Sequence, residues 1–237
     1  MKSAPVRKSY KNRVLASLPA SEIERLAPHL SPVTLKRNRT LHDAGEPVDA
    51  VYFLEDGMCS IVVTMKSGTS VEVGMTGWEG FVGAPAILGG GLSPNRCFMQ
   101  IPGSGFKIKV ATLREQSEEP GQLRLYMQRA VQGLMVQSRQ TAACNRVHSL
   151  EERLARWLLC CHDRTRTDRL PITHEFLGMM LGTRRTSVTV AAGILQKAGL
   201  ISYSHGNVTI QNHQGLKDAS CECYQVIHDE YVRLGLL

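Results

Sequence analysis

Aromatic residues make up only 5% of the 237-residue sequence, so a core has to be built mainly from aliphatic side chains. No stretch approaches the ~18 consecutive apolar residues that a membrane span needs. The basic start Met1–Lys8 has no apolar segment behind it of the kind a secretion signal carries. No two cysteines stand in CxxC spacing, and their number, seven, is odd, which argues against a disulfide framework. GxSxG, P-loop and HExxH patterns are missing, no paired-carboxylate arrangement stands out, and the eight histidines are scattered. These absences lead us to expect a soluble cytoplasmic protein that is not an enzyme, has no resident cofactor or metal, and makes no membrane contact.

Charge is present in excess of one sign. Lys and Arg total 28 against 21 Asp and Glu, a formal net charge of +7. Such a balance suits a polyanionic partner. The N-terminal stretch holds Lys2, Arg7, Lys8, Lys11 and Arg13 with no acid, whereas the last stretch holds Asp218, Glu222, Asp229 and Glu230. The excess is spread out, so it permits nucleic-acid binding without demonstrating it.

Residues 14–30 have the apolar spacing of a short helical lead-in. From Val33 the texture changes to short β-type runs, with Leu41, Val48, Val51–Leu54, Ile61–Val63, Val71–Val73 and Phe106–Val110 separated by Gly45, Asp56-Gly57, Ser67-Gly68, Gly74 and Gly77. Evenly spaced short strands with glycine corners predict an antiparallel barrel or double-sheet roll.

From Gln122 to about His148 no proline interrupts a helical pattern. Leu123, Met127, Ala130, Val131, Leu134, Ser138, Thr141 and Asn145 recur near the 3.5-residue period of a coiled-coil seam. Such a stripe must be buried, either on its own β-domain or against a symmetry mate. We expect the second, a parallel homodimer with Met127, Val131, Leu134, Ser138 and Thr141 along the seam.

Beyond this helix, Ser149 followed by Glu152 has the form of a capping box and starts a helix through Leu159. Residues 164–171 are polar and are expected to form a loop. Thr173 caps a short helix with Phe176, Leu177, Met180 and Leu181 at helical spacing, and Gly182 supplies a turn. A second helix from Arg184 to Lys197 places Val188, Ala191, Ala192, Ile194 and Leu195 on its buried side. Leu200–Tyr203 and Asn207–Ile210 then make a hairpin around Ser204-His205-Gly206. This is a helix-turn-helix followed by a wing. Arg184, Arg185, Thr186, Ser187 and Thr189 crowd the start of the second helix with no acid among them. Arginine can donate two parallel hydrogen bonds to guanine, and hydroxyls and helix N-termini attract phosphate.

The order of parts resembles the Crp/Fnr family of bacterial transcription regulators over nearly the whole chain. The likeness is most specific at Glu152–Leu159, at Ile172-Thr173-His174-Glu175 through Gly182-Thr183-Arg184-Arg185, and at Gly199-Leu200-Ile201. It implies an α+β fold in three parts: an antiparallel β-roll over 1–121, a dimerisation helix over 122–148 and a winged helix-turn-helix over 149–237. It also implies a homodimer that binds a near-palindromic DNA site and contacts RNA polymerase. Thr173 and His174 join the residues from Arg184 to Thr189 as candidate DNA contacts. Aligning on Gly182 puts Arg185 on the family's guanine-reading arginine, Thr186 where many members carry glutamate, and Val190 where cyclic-AMP-responsive members have a second arginine.

The resemblance also locates an effector pocket, formed here by Gly83, Ala84, Arg96 and Ser138. Ala84 stands at the glutamate that holds a ribose in cyclic-nucleotide binders, so cyclic-AMP control is not expected, and the effector is unknown. Arg96 remains a candidate anion ligand. No cysteine precedes Cys59, so an N-terminal iron–sulfur cluster is not expected. Cys160-Cys161-His162 and Cys221-Glu222-Cys223 would make a metal or redox site only if the tail folded back. Adjacent helical cysteines point ~100° apart, and buried thiols are the expectation. A ligand- or redox-sensing module whose helix-turn-helix contacts protein is the alternative function.

Overall fold

Glycine corners shape the first half of the chain. Gly57, at φ +76°, turns one strand into the next where a Cβ would come within 2.7–2.8 Å of the Ile101 and Pro102 carbonyl oxygens, so no other residue fits. The computed structural model describes residues 9–118 and 120–237; the basic residues Lys2, Arg7 and Lys8 lie outside them. The lead-in forms α1 (Arg13–Ala16) and α2 (Ala20–Leu26), followed by a 3-10 turn. Next come β1 (Ser31–Leu35), β2 (Thr40–His42), β3 (Ala50–Leu54), β4 (Met58–Thr64), β5 (Ser70–Thr76), the short α3 (Ala84–Ile87), β6 (Arg96–Ile101), β7 (Gly103–Lys109) and α4 (Val110–Gln116).

The strands make two antiparallel sheets, ordered β1-β7-β3 and β2-β6-β4-β5. Leu35, Tyr52, Leu54, Cys59, Val82, Cys97 and Met99 form one buried cluster. Both sheets contribute to it, which makes it the filling of the roll. The opposite faces carry Phe53, Met58, Val62, Met75, Phe98 and Phe106 into a larger core shared with the helices.

Helix α5 (Gln122–Val147) follows, then α6 (Leu150–Thr165), β8 (Arg169–Leu170), α7 (His174–Met180), α8 (Arg185–Lys197), β9 (Ile201–Ser204), β10 (Asn207–Ile210), α9 (His213–Asp218) and α10 (Cys223–Arg233). The capping box forms as expected: Ser149 Oγ accepts from the Glu152 amide at 3.3 Å, and Glu152 accepts from the Ser149 amide at 2.8 Å. Two local expectations change. The polar stretch 164–171 is not all loop, because Arg169 and Leu170 pair with Thr209 and Val208 to add a third strand to the wing. Val110, expected to end a strand, begins a helix instead, and Arg96–Ile101 add a strand not assigned from the sequence.

The stripe on α5 makes contacts within the chain. Met127 and Val131 are buried within the chain itself. Leu134 packs beside Gly74, Ser138 Oγ donates to the Val73 carbonyl at 2.8 Å, and Thr141 Oγ1 accepts from Arg156 at 3.3 Å. The expected seam thus packs in part on β5, α6 and α10, while its Met127 and Val131 also line the groove on the open side of α5. A helix lying on a sheet buries its apolar stripe there first, and the 3.5-residue period is the same for either partner. The open face of α5 is rotated by about one residue. It exposes Met135 and borders a groove of about 730 Å³ whose lining includes Leu88, Gln128, Gln132, Met135 and Arg139.

Among the described residues no helix is long and apolar enough to cross a membrane.

Candidate nucleic-acid interface

Thr173 starts α7 as its N-cap, its hydroxyl accepting from the Phe176 amide at 3.2 Å. The turn between α7 and α8 is tight. Gly182 takes φ +62°, and a Cβ on Gly178 would stand 2.9 Å from the Thr183 carbonyl oxygen. Two elements hold the pair in place from behind: Arg153 of α6 donates to the Leu181 carbonyl at the turn, and Val188, Ala191, Ala192 and Leu195 bury the inner face of α8.

The outer face of α8 is left free. Arg184 is its N-cap, and Arg184, Arg185 and Thr186 are exposed, with Ser187 half-buried. Ile194, expected inside, is instead 48% exposed, and Val190 is 64% exposed. Thr186, Val190 and Ile194 are spaced four apart, so they line one outward row. Apolar side chains at such places can meet the thymine methyl group. The helical spacing of 186, 190 and 194 carried that signal, but apolarity alone argued for the core.

His174 and Thr189 face each other, and Thr189 is also exposed. The His174 ring stacks on Tyr203 of β9, with centroids 3.8 Å apart, and its Nδ1 lies 3.1 Å from Thr189 Oγ1. Thr189 Oγ1 also donates to the Arg185 carbonyl at 3.1 Å. Burial, helped by the Arg185 cation, holds His174 below the usual imidazole range. The two residues brace α7, α8 and the wing against one another. His205 and Gly206, at φ +49° and +75°, make the two-residue turn at the wing tip beside Thr173.

The four expected pocket residues do not converge. Gly83 caps α3 at φ +117° against Val51 and His42. Arg96 is exposed, donates to Thr40 Oγ1 at 3.1 Å and lies over the Phe98 ring. Strand alternation sets this direction. Cys97 points into the roll, so Arg96, Phe98 and Gln100 point outward, where Phe98 meets Phe176 of α7. Arg96 therefore does not point into the roll interior. The space between Ala84 and α5 is also taken. Tyr231 and Leu236 of the C-terminal segment line it together with Ala130, Val131 and Leu134, and about 10 Å³ is left, room for at most a single water. Arg13 fastens that segment by donating Nε–H to the Gly235 carbonyl at 2.7 Å.

The C-terminal segment carries Cys221 and Cys223 to Cys144 and His148, not to Cys160 and Cys161. Cys160 and Cys161 are fully buried, and burial pushes both thiols up.

The surfaces joining the roll to the DNA-binding part are charged inside. The Trp157 indole donates to Glu72 at 2.7 Å. Arg164, fully buried, pairs with Glu79 at 3.4 Å and lies over the Tyr231 ring.

Comparison with known proteins gives the same order of parts. Residues 32–118 match the model of the cyclic nucleotide-binding domain, and residues 152–219 match that of the Crp-like helix-turn-helix domain. A global nitrogen regulator of Nostoc sp. (strain PCC 7120) is 22% identical over 188 residues, 75% of this chain and 83% of that protein. A putative transcriptional regulator of the Crp/Fnr family from Eubacterium rectale shares the fold with a TM-score of 0.66 at 16% identity, covering 85% of this chain and 94% of its own. The c-di-GMP responsive global regulator CLP of Xanthomonas campestris does so with a TM-score of 0.67 at 16% identity, covering 82% and 100%.

Proposed function

Because the chain belongs to the Crp/Fnr family of transcription regulators, we propose that it acts as a cytoplasmic homodimer that binds a near-palindromic operator and contacts RNA polymerase, without enzymatic activity of its own. The observation that carries this is the exposed, acid-free first turn of α8, with Arg184, Arg185 and Thr186 presented beside a wing. Arg185 reads one guanine by a bidentate contact in the major groove. Arg184, Ser187 and the N-terminus of α7 at Thr173 meet phosphates and set the register. His174 and Thr189 hold the recognition helix at its angle. The pair forms across the open side of α5 around Met135, beside Met127 and Val131 of the stripe.

Cyclic AMP does not control this protein in our reading. Alanine stands at position 84, Arg96 is turned out to Thr40, and the side chains of Tyr231 and Leu236 line the space a ligand would need. Selection of bound duplexes from random DNA, with and without cyclic AMP, tests both statements. We expect enrichment of a two-fold symmetric sequence that is unchanged by the nucleotide. No enrichment above background would refute the operator assignment, and enrichment only with cyclic AMP would refute the second statement.

A further inference from the structure

Three cysteines and a histidine that serve neither the recognition helix nor the roll interior meet at the junction of α5 and α6. Cys144 and His148 stand four residues apart at the end of α5, on one face. Cys221 comes from the bend between α9 and α10, and Cys223 opens α10. The three sulfurs and one ring nitrogen lie within 4.8 Å of one another. Cys144 Sγ is 3.5 Å from Cys221 Sγ, and Cys223 Sγ is 3.5 Å from His148 Nδ1. A tetrahedral ion with bonds of about 2.3 Å to sulfur and 2.0 Å to nitrogen holds its ligand atoms roughly 3.5–3.8 Å apart. The spacing already frames such an ion.

The surroundings are those of a metal site too. His148 turns its other nitrogen, Nε2, to Glu222 at 3.2 Å, the carboxylate contact that orients a ligating imidazole. Gln140 donates to Cys223 Sγ at 3.2 Å. The guanidiniums of Arg153 and Arg156 lie near Cys144 and offset the net single negative charge of three thiolates around a divalent cation. All three cysteines are buried.

We propose that Cys144, His148, Cys221 and Cys223 bind one zinc ion, which clamps the C-terminal segment to the hinge between α5 and the DNA-binding part. Sulfur and imidazole ligands select zinc over calcium or magnesium, and four protein ligands close the site as in structural zinc centres. Binding displaces three thiol protons. The clamp holds the bend from which α10 carries Tyr231 and Leu236 to their places against α5.

The test is metal analysis of the full chain purified without chelator, followed by exchange of the zinc for cobalt. We expect about one zinc per chain and, with cobalt, the absorption of a tetrahedral thiolate site. Cys144→Ser and Cys221→Ser lose the metal, and Cys160→Ala keeps it. Glu222→Gln keeps it with affinity lowered about tenfold or more in chelator competition. Because the cysteine variants can fail to fold, the cobalt titration of the unaltered chain decides. Protein that is isolated without metal and gives no thiolate–cobalt band overturns the proposal, as does a Cys144–Cys221 disulfide in protein prepared under reducing conditions, or full zinc content in either cysteine variant.

Discussion

Glu72 sits fully inside the contact between β5 and α6, and its carboxyl should govern how stability varies with pH. Burial is the main cause pushing its pKa up from 4.5 to about 7, against hydrogen bonds from Ser60 and Trp157 and the charges of Arg156 and Arg164. The geometry around Ser60 agrees. Its single hydroxyl proton lies between two acceptors, Glu72 at 2.6 Å and the Gln100 amide oxygen. A protonated Glu72 can donate to Ser60 and free that hydroxyl for Gln100. Below pH 4.5 the group is protonated in native and unfolded chains alike and costs nothing. Between 4.5 and about 7 the unfolded chain releases the proton while the native chain keeps it, so stability falls as pH rises. Above that range the full cost stands, about 3 kcal/mol for a shift of this size at ~1.4 kcal/mol per pKa unit. Glu72→Gln is neutral at every pH and can still accept from Trp157. The stability of the variant relative to the parent should therefore rise by about 3 kcal/mol between pH 4 and pH 8, read from urea midpoints at each pH. A difference that stays flat across that range would refute the reasoning.

Three further perturbations bear on other parts of the molecule. Arg185→Ala should weaken operator binding by ~1–3 kcal/mol and relax preference at one guanine, whereas Arg184→Ala should weaken all sequences alike and reduce the salt slope by about 1; titrations at several salt concentrations separate the two, and unchanged base preference in the first variant would remove Arg185 from its role. Met135→Glu should turn the pair into monomers in sedimentation velocity, since Met135 lies on the open face of α5; a dimer that persists would place the interface elsewhere. Gly133→Ala should cost roughly 1–3 kcal/mol in urea, because the added Cβ would lie 3.0–3.1 Å from the Tyr231 ring and 3.3 Å from Leu236; an unchanged midpoint would show that the C-terminal segment yields easily.

What could be seen in the sequence was what short stretches decide for themselves. Ser149 with Glu152, Thr173 before Phe176, and the His205-Gly206 turn are local chemistry, and each stands where its pattern placed it. The roll, long helix and winged unit followed from the order of such pieces together with the family likeness. Direction was harder to see. The α5 stripe reads the same for a partner chain as for the chain's own sheet, so nothing in it announced that Leu134, Ser138 and Thr141 also contact β5 and α6. The family likeness places Arg96 in the pocket, but one position along a strand reverses the face, and Arg96 stands next to the inward-pointing Cys97 in β6. Distance was hardest. Cys144 and Cys221 are 77 residues apart, and nothing local to either announces that α9 and α10 fold back to bring them together.

The contact between roll and winged unit runs through Phe98 on Phe176, Val71 under Gly182 and Trp157 on Glu72. In the proposed homodimer, two recognition helices mounted on this base would act like the jaws of a caliper set to one gap. Any mismatch between that gap and the spacing of the two half-sites then falls on the double helix. One added base pair swings a half-site through about a tenth of a turn, and the elastic cost of twisting it back is borne by the spacer. Spacer length and stiffness would then be part of what the proposed operator encodes, without any base contact being needed there.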